Sequence, residues 1–156
     1  NQTSGTRIEN NIFYENGTAL AGSSVQGISF ASCCGTGIQI RNNHFYASGS
    51  GGTVPIASNA TEGIHYTQSG NLVNVSNPGF VNAPATLTAT PNFALTARSP
   101  AIDAGLPLAT VKIDFNGTPR PQRRAPDIGA YGYTAGGDVE PPITPTTLGV
   151  NQKPLN

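Results

Sequence analysis

One stretch of this chain is written twice. Ile8-Glu9-Asn10-Asn11-Ile12-Phe13-Tyr14 returns 32 residues later as Ile40-Arg41-Asn42-Asn43-His44-Phe45-Tyr46, and a glycine follows each copy, at Gly17 and Gly49. A second pair, Gly27-Ile28-Ser29-Phe30 and Gly63-Ile64-His65-Tyr66, recurs at the similar offset of 36. A degenerate third copy of the first motif is expected from Leu72 to Phe80. Interleaved repeats of nearly one period point to a unit that stacks on its own copies, because a unit of this size cannot bury an apolar face alone.

Inside each unit apolar and polar residues alternate, as in Ile38 and Ile40 against Gln39 and Arg41, which is the signature of strands with one buried face. The strands are broken by Gly and Asn-Asn at spacings too short for crossover helices. Parallel stacking about 4.8 Å apart would put Ile8 on Ile40 and Phe13 on Phe45, with the Asn pairs as amide ladders. The fold class expected is therefore all-β: a right-handed parallel β-helix of two to three coils, with an irregular C-terminal cap and an extended tail. The coils span residues 1–82, the cap 83–133 and the Pro/Thr-rich tail 134–156. Ala47 to Glu62 is expected to bulge as a surface loop. An antiparallel sandwich is the competing reading, and Asn16-Gly17, an Asn-Gly that follows a strand, is a hairpin signal in its favour.

Past residue 83 the repeats stop and a different set of motifs begins. Asn77-Pro78-Gly79-Phe80-Val81, Phe93-Ala94-Leu95, Ser99 to Gly105, Asp114 to Arg120 and Asp127 to Tyr133 follow in order. This series resembles the C-terminal end of bacterial secreted β-helix proteins, an ending called a choice-of-anchor Q domain. The resemblance covers roughly residues 71 to 133. One departure is Gly132, where the family usually has Glu. The resemblance implies an extracellular or cell-surface protein of the polysaccharide-processing or adhesive kind; fold alone does not name an activity.

Composition narrows the partners. Of 156 residues only 10% are charged, and 8 Lys+Arg balance 8 Asp+Glu, so no basic face exists to hold nucleic acid. No apolar run is long enough for a membrane span. Plentiful Thr, Asn and Gly suit an extracellular or cell-surface protein. Sequons at Asn1, Asn16, Asn59, Asn74 and Asn116 are candidate N-glycosylation sites if it is exported. The opening at Asn1 without Met reads as a processed or truncated start with upstream coils. The adjacent Cys33 and Cys34 have no metal-ligand spacing. They are free thiols in a turn or a vicinal disulfide, neighbouring Cα atoms being about 3.8 Å apart, below the usual disulfide range.

Few side chains can carry chemistry. Asp103, Asp114, Arg120 and Asp127 sit beside Gly or Pro in turn-like sequence, so they are expected to form a structural cap, carboxylates accepting turn N–H groups over the last coil's edge. No cofactor and no metal are expected, with calcium as the one alternative. Asp114-Phe115-Asn116-Gly117 opens like a calcium loop, but the later ligands do not follow. Glu9 and Arg41 should stack as a partly exposed pair. Arg41, His44, Tyr46 and Tyr66 are candidate carbohydrate contacts, His44 being expected to point outward. β-helix polysaccharide lyases use an Arg or Lys base on an outward strand face, which Arg41 resembles. Two functions follow. In the first, the chain is the C-terminal part of an extracellular β-helix protein that binds or processes polysaccharide, any lyase or glycoside hydrolase machinery lying upstream. In the second, it is a structural subunit of a filament, self-associating through its open first coil.

Overall fold

The computed structural model describes residues 5–14, 25–30, 35–46, 53–58, 60–84 and 90–135, and these are all-β. The strands are β1 (Arg7–Glu9), β2 (Ile12–Tyr14), β3 (Val25–Phe30), β4 (Ile38–Arg41), β5 (His44–Tyr46), β6 (Thr53–Ser58), β7 (Tyr66–Ser69), β8 (Leu72–Val73), β9 (Phe80–Asn82) and β10 (Asn92–Leu95). Two three-stranded sheets run β1-β4-β7 and β2-β5-β8; β3 pairs with β6 and β10 with β9. All pairings are parallel except the last. Parallel pairing of strands so far apart in sequence is what a stacked repeat requires.

The register follows the repeat. Ile8 lies opposite Ile40 and Phe13 opposite Phe45, the two rings stacked at 4.7 Å and 5°. Ile28, Ile38, Ile40 and Phe45 form one buried cluster, joined by Ile8, Phe13, Phe30, Ile56 and Tyr66. Burying an Ile or Phe side chain stabilises by about 1.5–3 kcal/mol, so this column of like on like carries much of the fold.

Each unit bends sharply between its two strands, and the bend needs a left-handed residue. Asn10 and Asn42 supply it at φ 59° and 48°, Asn being one of the few L-residues that visit this region. The third unit uses Gly70 at φ 63°, where a Cβ would lie 2.9 Å from the Asn42 Oδ1. The neighbouring Asn residues form the amide ladder. Asn11 donates its backbone N–H and Nδ2 to Asn43 Oδ1, both at 3.0 Å. Asn43 donates likewise to Asn71 Oδ1, at 2.9 and 3.2 Å. The second amide hydrogens of Asn43 and Asn71 reach back to the Ile8 and Ile40 carbonyls, at 2.8 and 3.0 Å.

Three expectations are corrected. The third copy starts at Gln68 rather than Leu72, because Ile40 pairs with Gln68 and His44 with Leu72, a step of 28 residues. Gly27–Phe30 does not lie on Gly63–Tyr66. Ile28 pairs with Ile56, and Tyr66 pairs with Ile38. Thr53–Ser58 is therefore strand β6 and not part of a surface bulge. Strand pairing fixes only the register, so connecting segments can differ in length between units at small entropic cost.

Among the described residues, the C-terminal segment lies along the flank of the repeats. Asn10 Nδ2 donates to the Leu106 carbonyl at 2.8 Å while Asn10 Oδ1 accepts the Leu106 N–H at 2.7 Å. Asn42 Nδ2 donates to the Ala104 carbonyl and the Gly129 N–H to the Asn10 carbonyl. Leu95, Ala101 and Ile128 bury themselves against Ile12 and Leu72, on the face of the second sheet opposite Phe13 and Phe45. Gly129, at φ 107°, packs so closely that a Cβ would meet Ile12 Cδ1 at 2.8 Å.

Candidate functional site

That flank contact covers His44. By alternation its ring faces away from the Phe13–Phe45 column, as expected, yet it is fully buried, so the outward solvent-facing position does not hold. It occupies the column between Ile12 and Leu72 that the C-terminal segment covers. Its Nε2 donates to the Ser76 carbonyl at 3.0 Å, and Nδ1 is buried without a partner among the described residues. Burial lowers the imidazole pKa below its usual value, opposed by the Ser76 bond. Its burial removes it from the candidate sugar contacts.

The other three candidates lie apart. Tyr46 stacks on Tyr14 at 5.9 Å, whose ring meets Phe80 edge-on. Tyr66 stacks on Phe30 at 6.1 Å, and burial followed by the Glu62 charge raises its pKa. Arg41 donates through Nε and Nη2 to Glu9 Oε1, the Nε bond measuring 2.9 Å. The Arg41 side chain is 31% exposed and that of Glu9 only 7%, so the carboxylate is largely shielded and the guanidinium forms the outer half of the pair.

Beside Glu9 the C-terminal turns open a groove of about 300 Å³, lined by Leu108, Val111, Ile113 and Phe115 with Glu9, Asn10, Asp114, Arg120, Gly129 and Ala130. Its apolar residues are unusually open for their size, Ile113 at 57% and Phe115 at 61%. Sequence reading singled out Asp114 and Arg120 and missed these two, since nothing periodic marks which turn side chains face a groove.

The four residues expected as a cap hold this wall in place. Asp114 Oδ1 accepts the Asn116 and Thr118 N–H groups at 2.9 and 2.8 Å, and Oδ2 accepts that of Gly132 at 2.8 Å. The Asp114 turn thus spends its carboxylate on backbone donors. The Phe115 N–H donates to the Ala130 carbonyl at 2.8 Å, and the Phe115 ring meets Tyr131 edge-on at 5.5 Å. Tyr131 is raised in pKa by burial and by Asp114. Asp127 accepts the Asp103 N–H at 2.7 Å and also that of Tyr133. Asp103 accepts the Ala125 N–H at 3.1 Å and pairs with Arg123 at 3.5 Å. Arg120 donates to the Asp127 and Gly129 carbonyls, at 3.0 and 2.8 Å. They brace turns on the flank of the repeats.

Asn116 lies beside Phe115 in this exposed turn, and Asn74 follows β8. Asn1, Asn16, Asn59, Cys33, Cys34 and the tail from residue 136 lie outside the described residues. Among the described residues no three His, Cys, Asp or Glu side chains form a metal cluster, and no helix is long and apolar enough to cross a membrane. No protein-family model, curated protein or solved structure matches the chain.

Proposed function

We propose that this chain is a stretch of right-handed parallel β-helix from a secreted or cell-surface protein with a choice-of-anchor Q type ending, and that it binds polysaccharide. The β-helix reading is supported by the parallel registers and the Asn ladder, and the family reading by the motif series from Asn77 to Tyr133.

The observation that carries polysaccharide binding is the groove. A sugar presents an apolar C–H face and a polar hydroxyl edge. Phe115, Ile113 and Val111 offer the first an open apolar wall. Arg41 and Glu9 are committed to one another, so the segment binds rather than cleaves. Processing of the bound polymer belongs to other parts of a longer protein.

Affinity electrophoresis and calorimetry against neutral and uronic-acid polysaccharides test this. Phe115→Ala should abolish retardation while leaving the circular dichroism spectrum unchanged. Equal binding by the variant, or no binding to any polymer, refutes the reading.

A further inference from the structure

The turn that carries Phe115 ends in an Asn-Gly step. Lys112 to Arg120 fold back on themselves: the Arg120 N–H donates to the Lys112 carbonyl and the Asp114 N–H to the Thr118 carbonyl, both at 2.8 Å, and Ile113 bridges to Pro119. At the tip Asn116 and Gly117 are exposed, and the Asn116 side-chain amide has no partner among the described residues. Gly117, at φ 82°, has open space where a Cβ would stand. An asparagine Cγ is placed to close a five-membered ring with the peptide nitrogen of the next residue, an intramolecular reaction favoured by proximity. A following glycine puts the least bulk in its way.

We propose that Asn116 is a site of spontaneous covalent modification, conversion to isoaspartate and aspartate, and that the change disarms the Phe115 wall of the groove. The Gly117 nitrogen gives up its proton to hydroxide and attacks Asn116 Cγ. The N–Cγ bond forms, the Cγ–Nδ2 bond breaks, and ammonia leaves with a proton taken from water. Water then opens the succinimide. Cleavage of the Cγ–N bond gives aspartate, and cleavage of the bond from the Asn116 main-chain carbonyl carbon to that nitrogen gives isoaspartate, whose main chain is one methylene longer. Nothing is oxidised or reduced. The folded turn holds the reaction back, because the Gly117 N–H donates to the Asp114 carbonyl at 3.1 Å while Asp114 Oδ1 holds the Asn116 and Thr118 N–H groups. The nitrogen is released when the turn opens, so the rate follows the population of the open turn. Asp114 is thus a positioning residue for this reaction. In the isoaspartyl form the added methylene separates the two N–H groups that share Asp114 Oδ1. A new carboxylate then stands one residue from Phe115, which is 61% exposed. The change also erases the Asn116 sequon. Its effect on binding rests on the groove reading; the chemistry does not.

Peptide mass spectrometry on the full chain, aged in mildly alkaline buffer and labelled with an isoaspartyl methyltransferase, reads this. Wild type should gain the amide-to-acid mass at Asn116, mostly as isoaspartate. Asn116→Gln, whose ring would be six-membered, should gain none there over the same period. Asp114→Ala loses two bonds that close the turn and should react roughly 5–30-fold faster. Asp114→Asn keeps one acceptor and should fall between, and it reads the brake should Asp114→Ala fail to fold. An intact Asn116 amide in aged wild type overturns the proposal, as does a rate indifferent to both Asp114 variants. The isoaspartyl form, separated by its added charge, should lose the polysaccharide retention of fresh protein, and equal retention overturns the disarming step. Absence of retention in fresh protein refutes the groove reading alone, since the mass change is read without any polymer.

Discussion

Replacing Asn43 by alanine tests the ladder where it matters most. Asn43 is fully buried, and its side chain makes bonds to the Asn11 N–H, the Asn11 amide, the Ile8 carbonyl and the Asn71 amide. A typical net bond contributes about 1 kcal/mol, and a buried group left without a partner costs about 1–3 kcal/mol. The four losses are not equal. Asn11 is exposed, so water replaces what it loses. Asn71 Oδ1 keeps the Asn43 backbone N–H. The Ile8 carbonyl, half-buried, loses its side-chain partner. Asn43→Ala should accordingly cost about 2–4 kcal/mol, and Asn11→Ala, at the solvated end, about 0.5–1 kcal/mol. Urea denaturation gives both numbers, with the slope unchanged if the variants unfold in one step. Equal costs for the two variants would falsify the argument, because the middle rung is both more buried and more heavily bonded than the first.

Three further expectations follow from the same geometry. Gly70→Ala meets both a left-handed backbone and the Asn42 amide, whereas Gly117→Ala, at φ 82° with open space around it, meets only the first, about 1–2 kcal/mol. Thermal melts should rank Gly70→Ala as the more damaging, and the reverse order would show that the Asn42 contact is not there. His44 is depressed in pKa by burial, so the unfolded chain binds its proton first as pH falls; stability should be full above about 6.5 and decline below it. His44→Leu should remove that decline in pH-dependent urea titrations, and persistence of the decline would assign it to other groups. Asp114→Ala frees three backbone N–H groups behind Phe115, and should lower stability by about 2–4 kcal/mol and weaken polysaccharide retention together. Intact retention in a folded Asp114→Ala protein would detach the groove from its wall.

The repeat in the sequence determined which residues meet. Parallel stacking brings equivalent positions together, so Ile8 on Ile40, Phe13 on Phe45 and Glu9 beside Arg41 follow from reading one copy over the other. The break between strands was legible too, in the Asn-Asn pairs, although the left-handed backbone at Asn10 and Asn42 was not. Other features depended on parts of the chain that no local pattern connects. The step shortens from 32 to 28 residues because only the strands must match and the connecting segments are free to vary. His44 shows the right alternation and the wrong exposure. The side of a strand is a local property, whereas what covers that side is set by Leu95, Ala101 and Ile128, packed there from far along the chain. The groove is decided in the same way: Asn10 and Gly129 join the repeats to the C-terminal turns, and only that docking turns the outward Phe115 and Ile113 into the wall of a site.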